Sequence, residues 1–112
     1  MSSRPLVVRW ALSASLDLEE IVGYIGSDSI DAARRVVERV ETRGAALATF
    51  PLRGRVVPEL ARHGLHQWRE LILSPYRLIY RVGDDHVEIV AVIDGRRDVE
   101  DLLLERLLRG SL

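Results

Sequence analysis

Arginine is the residue type here with the most chemistry to offer. All sixteen basic residues among the 112 are arginine, and lysine is absent. Arg69-Glu70-Leu71, the run Tyr76-Arg77-Leu78-Ile79-Tyr80-Arg81-Val82 and Gly95-Arg96-Arg97-Asp98 set several of them into or beside segments that otherwise look like core strands. Arg53 and Arg55 flank Gly54 in a loop bounded by Pro51 and Pro58. Each guanidinium is a planar, permanently charged fork that grips a carboxylate or phosphate but carries no proton to or from a substrate near neutral pH. Clustered arginines therefore point to a surface that meets an anion or an acidic partner.

Other reactive groups are scarce. With no cysteine there is no disulfide, thiolate nucleophile or thiolate metal ligand. His63 and His66 straddle Gly64, His86 falls in a turn, and no third ligand has metal-site spacing, so no metal or cofactor is expected. Asp84-Asp85 suits a turn, Ser74 has no base nearby in sequence, and phosphate-cradling glycine motifs are absent. No residue stands out as a general base. The formal net charge of −1 gives no whole-molecule attraction to nucleic acid, so direct DNA binding is not expected.

The elements that must position these arginines follow from periodicity. At 112 residues, 47% hydrophobic and 29% charged, the chain reads as one globular domain over 1–112. No apolar run approaches the ~20 residues that span a bilayer, and no leader-like segment opens the sequence, so a soluble cytoplasmic protein is expected. Leu6–Trp10 suggests a first strand. Leu18, Ile21, Val22 and Ile25 mark a helix capped by Ser13 or Ser15, with Asp17, Glu19 and Glu20 in its first turns. Ala33, Val36, Val37, Val40, Gly44 and Leu47 stripe a second helix, capped by Asp28 or Ser29 and stopped by Pro51; a short connection makes the pair an antiparallel hairpin. Strands follow at about 65–73, 76–82 and 87–93, joined by Ser74-Pro75 and Gly83–His86, and Asp98 caps a last helix reaching about Leu108. The order β-α-α-β-β-β-α indicates an α+β domain: a small antiparallel sheet, a helical hairpin on one face and a C-terminal helix.

Strand parity assigns faces. Tyr76, Leu78, Tyr80 and Val82 share one side with Val87, Ile89, Ala91 and Ile93, an apolar set for the hairpin to cover. Arg77, Ile79 and Arg81 share the other with Glu88, Val90, Val92 and Asp94, a mixed face covered only part of the time. Two readings of its arginines stand. They form cross-strand ion pairs with Glu70, Glu88 or Asp94, the stronger reading for Arg81. Or they bind a partner, the stronger reading for Arg77, on which Arg53, Arg55, Arg96 and Arg97 can converge. Trp68, if exposed at the sheet edge, would be an anchor for that partner.

These residues also carry a resemblance. Asp17-Leu18-Glu19-Glu20-Ile21-Val22-Gly23-Tyr24-Ile25, Ala32-Ala33, Phe50-Pro51-Leu52-Arg53-Gly54-Arg55-Val56-Val57-Pro58-Glu59-Leu60 and the three arginine segments above resemble, in order and over almost the whole chain, the ParE branch of the RelE/ParE toxin superfamily. The resemblance implies a compact α+β toxin of a bacterial type II toxin–antitoxin system, of the kind linked to plasmid stabilisation. It also implies neutralisation by a small DNA-binding antitoxin in a hetero-oligomer.

RelE-like members cut mRNA on the ribosome, whereas ParE-like members inhibit DNA gyrase. Laid over RelE, this chain keeps arginines at Arg77 and Arg97, which would be the catalytic pair of a ribonuclease. Two lysine positions fall on Trp68 and Glu70, and the C-terminal tyrosine position falls on Leu103. A glutamate repels phosphate and a leucine transfers no proton.

The expectation is therefore a gyrase-binding inhibitor without chemistry of its own, contacting its target through Arg53, Arg55, Trp68, Arg77, Arg96 and Arg97. The alternatives are a RelE-like mRNA interferase and a non-toxic, antitoxin-bound subunit. Leu103, Leu104, Leu107 and Leu108 wrap more of the last helix than one core stripe requires, so they are the expected antitoxin interface.

Overall fold

In the computed structural model, which describes residues 4–112, the chain runs β1 (Val7–Trp10), α1 (Leu12–Gly26), α2 (Ile30–Ala45), β2 (Arg55–Val56), α3 (Pro58–Ala61), β3 (Trp68–Leu73), β4 (Tyr76–Val82), β5 (His86–Asp94) and α4 (Val99–Leu108). The α+β class and the arrangement of hairpin, sheet and last helix match the sequence reading. Three features differ. The five strands lie in the order β1-β5-β4-β3-β2, and β1 runs parallel to β5, so the sheet is mixed rather than antiparallel. Both β2 and α3 lie in what reads as loop, being too short to show a period.

Helix ends follow local chemistry only in part. Ser29 caps α2 by accepting from the Ala32 N–H at 3.1 Å, and Asp98 caps α4 by accepting from the Asp101 N–H. α1 begins at Leu12, ahead of both candidate serines, with no side-chain cap. Asp17 consequently lies in mid-helix, beyond the first turn. α2 ends before Pro51 is reached, passing into a 3₁₀ turn over Ala46–Ala48.

The sheet has two covered faces. Leu71, Leu73, Leu78, Tyr80, Val87 and Ile89 meet Ala14, Val40 and Leu47 from the hairpin side. The opposite face is a second core, not a partly open surface: Trp68, Ile79, Ala91 and Ile93 pack with Val57, Leu60, Val99 and Leu103 from the α3 and α4 side. A β-bulge corrects the parity of β5. Ile79 pairs with Ala91 but Tyr80 pairs with Ile89, leaving Val90 as the extra residue. One inserted residue reverses every side chain beyond it. Ala91 and Ile93 thus join Arg77 and Ile79 on the second face, while Val92 and Asp94 share the side of Leu78 and Tyr76.

The outer rim of β5 beyond β1 is finished by α1. Ser13 Oγ donates to the Val90 carbonyl at 2.9 Å, and Asp17 Oδ2 accepts from the Val92 N–H at 3.0 Å. Asp17 also holds a bidentate ion pair with Arg106 of α4, which fastens the last helix across the sheet.

Candidate functional site

Glu70 and Arg77 occupy adjacent strands on the second face. Glu70 is wholly buried, a position an ionised carboxylate keeps only when paired on both oxygens. Its Oε1 accepts from Arg77 Nε at 2.6 Å and its Oε2 from Arg55 Nε at 2.7 Å. The Arg77 fork then closes on Glu59, donating from Nη1 and Nη2 at 2.7 and 2.6 Å. Glu59 is delivered by α3, whose Pro58 presets the first helical turn. The four charges cancel within the cluster.

The contact between Arg77 and Glu59 shifts both partners away from neutrality. The hydrogen bonds from Arg77 hold the Glu59 carboxyl down at about 2, and the same contacts push Arg77 further above its ordinary value. Burial raises both Tyr76 and Tyr80, so both phenols stay protonated. This network holds its four charges in fixed ion pairs.

Around it stand the outer arginines. Gly95 donates its N–H to the Pro75 carbonyl at 2.7 Å, and a Cβ there would press on that oxygen and on the Arg77 stem. The turn it makes projects Arg96, which grips Asp94 through Nε (2.9 Å) and Nη2 (2.6 Å) yet remains 74% exposed. Those hydrogen bonds bring the Asp94 carboxyl down to about 2. Arg55, Ile72, Pro75, Arg77 and Arg96 line one groove of about 350 Å³. On the other side of the turn, Arg96 and Arg97 border a second, of about 540 Å³, with Tyr24, Tyr76, Leu102 and Arg106.

Of the six arginines and aromatics expected to meet a target, the fold gathers Arg55, Arg77 and Arg96, with Arg97 facing the neighbouring groove. Arg53 lies apart, stacked 4.7 Å from the Phe50 ring. Trp68 is not an exposed anchor: it is 4% exposed in the second core, its indole N–H without a hydrogen-bond partner among the described residues. Arg77 is saturated by carboxylates rather than presented to solvent. Arg81 pairs with Glu88 at 2.8 Å, the cross-strand pair foreseen for it.

The leucines of α4 also divide. Leu103 is 0% exposed and packs in the core, which removes it from any interface. Leu104 and Leu107 are half-buried against the same core, and Leu108 is exposed. Glu59 and the Asp17–Arg106 pair were not legible as partners, because pairing across 18 and 89 positions leaves no local pattern. Among the described residues no three His, Cys, Asp or Glu side chains are grouped to hold a metal.

Comparison with known proteins agrees with this architecture. The family described as ParE toxin of type II toxin–antitoxin system, parDE, matches residues 8–99. A Sinorhizobium fredii protein named as toxin Y4kP is 39% identical over 98 residues, covering 86% of this chain and 95% of the relative. Toxin RelE2 of Caulobacter vibrioides is 35% identical over 90 residues, covering 80% and 96%. Among solved structures, the chromosomal ParDE system of P. aeruginosa superposes with a TM-score of 0.66 at 19% identity, over 80% of this chain and 95% of that one. The RelBE2 toxin–antitoxin complex of Mycobacterium tuberculosis gives 0.57 at 26% identity, over 83% and 94%. The chain belongs to the ParE toxin family of type II toxin–antitoxin systems, within the ParE/RelE superfamily.

Proposed function

We propose that this toxin acts by binding and inhibiting DNA gyrase, without cleaving RNA, and that a cognate antitoxin neutralises it in the cytoplasm. One observation carries the reading: the strand arginine a ribonuclease would need, Arg77, is closed on both sides by Glu59 and Glu70. Its guanidinium donors are already spent on these carboxylates and are not free to grip a phosphate. The position of the missing proton carrier is Leu103, which transfers no proton and is sealed in the core.

Arg55, Arg96 and Arg97 supply the target surface, with Arg53 at its periphery. For the antitoxin we assign the exposed end of α4, with Leu108 flanked by Leu104 and Leu107, since an apolar helix end of that kind favours a covering segment.

Purified toxin is expected to block supercoiling by gyrase at stoichiometric excess and to leave ribosome-bound mRNA intact in toeprinting. Codon-specific cuts that disappear in Arg77→Ala would overturn the assignment in favour of an mRNA interferase. Expression without any growth defect would favour a non-toxic, antitoxin-bound subunit.

A further inference from the structure

We propose that the outer edge of β3 at Ile72 receives an extended, acidic segment of the toxin's protein target as an added strand; this rests on the binding reading above. Ladder parity carries the argument. The Val57 N–H donates to the Trp68 carbonyl at 3.1 Å, so Trp68 and Glu70 turn their backbone polar groups toward β2. Two residues further on, Ile72 turns its N–H and C=O the same way. β2 pairs only as far as Arg55, opposite Glu70, and nothing in the backbone meets Ile72 among the described residues.

The reason the strand stops is Gly54. Its N–H goes to the Tyr80 hydroxyl at 2.9 Å, and that hydroxyl donates to the Pro51 carbonyl at 2.7 Å. The chain is thereby drawn off the sheet just where a longer β2 would have covered Ile72. A Cβ at Gly54 would collide with the Glu70 carbonyl and the Tyr80 ring, so the departure depends on glycine.

An unpaired ladder position with a β-branched side chain 44% exposed is a template for strand addition. Charge specifies what is added. The network is neutral in sum, but the Glu70 side chain is 0% exposed while that of Arg55 is 59% and that of Arg96 is 74%. Arg55 spends only its Nε on Glu70, and neither Nη has a hydrogen-bond partner among the described residues. The rim that an incoming chain meets is therefore cationic, with the groove beside Ile72 open to an apolar side chain. A polypeptide supplies both a backbone ladder of alternating N–H and C=O groups and the carboxylates; the RNA backbone supplies the anions without that ladder.

Ile72→Pro deletes the outward N–H without taking a bond from the β3–β4 ladder, and Ile72→Val keeps the backbone intact. Ile72→Val should inhibit gyrase as the parent does. Ile72→Pro should lose about tenfold or more in potency while melting normally and binding the antitoxin as before. Arg96→Glu, which leaves the backbone untouched, should weaken inhibition about fivefold or more and decides the matter if the proline variant unfolds early. Inhibition by a folded Ile72→Pro within about twofold of the parent, or by Arg96→Glu at the parent's potency, overturns the proposal. So does loss of antitoxin affinity with inhibition unchanged, or RNA retention that falls with Arg96→Glu alone. A parent protein that leaves supercoiling untouched instead refutes the gyrase reading on which the proposal rests.

Discussion

Beyond Trp10, where β1 ends, the outer rim of β5 is completed by polar side chains: Ser13 on the Val90 carbonyl and Asp17 on the Val92 N–H. Beyond Arg55, at the other rim, Ile72 keeps its backbone groups unmatched and its side chain half in solvent. Both positions begin as the same liability, a strand longer than its neighbour. At the β5 rim a helix starts at once and lends its side chains. At the β3 rim the chain is pulled beneath the opposite face by Tyr80 and lends nothing. The difference shows that edge protection here depends on where the connecting segment travels more than on what the strand itself contains.

Substitutions at the two rims should separate sharply. The largest effect is expected from Asp17→Ala, which bares the Val92 N–H and strands the largely buried Arg106. We expect a loss of about 2–3 kcal/mol in urea-monitored stability, against which α4 frays first in hydrogen exchange. An intermediate effect should come from acid. Glu59 has its folded value lowered from 4.5 to about 2 by the hydrogen bonds from Arg77, so its stabilisation is complete above about pH 4.5 and disappears as pH falls toward 2. Glu59→Gln should flatten that part of a melting-temperature profile, leaving a residual slope from Asp94, lowered from 3.8 to about 2 by Arg96. Ser13→Ala should cost about 1 kcal/mol, the worth of one side-chain hydrogen bond. Ile72→Thr at the open rim should fall within about 0.5 kcal/mol of the parent. A stability loss there as large as at Asp17 would mean that the β3 rim is covered after all.

Much of the fold was legible because it rests on local rules. Ser29 and Asp98 cap where their chemistry says they should, and β4 spans the residues its alternation indicates. What escaped has a common physical cause. The bulge at Val90 inserts one residue between two equally apolar stretches, so periodicity continues unbroken while the faces exchange. The parallel partner of β1 lies far along the chain, and α3 is a single turn. At the site, arginines in strands were visible as an oddity, and the pairing of Arg81 with Glu88 could be read across the hairpin. The burial of Arg77, Trp68 and Leu103 could not, because it depends on α3 and α4 folding back over the second face. An arginine between apolar neighbours looks the same in sequence whether it faces a partner or a pair of internal carboxylates.

The pairing of β1 with β5 also orders events in time. Val7–Trp10 leaves the ribosome long before His86–Asp94, roughly 4–15 s earlier at the usual 5–20 residues per second. Through that interval the apolar residues of α1 and α2 lack the sheet that buries them, and β1 has no strand to join. Closing the sheet therefore waits on nearly the whole described length of the chain, because its first strand pairs with its last. Any surface built on the closed sheet, the arginine rim included, thus comes into being only once β5 has emerged.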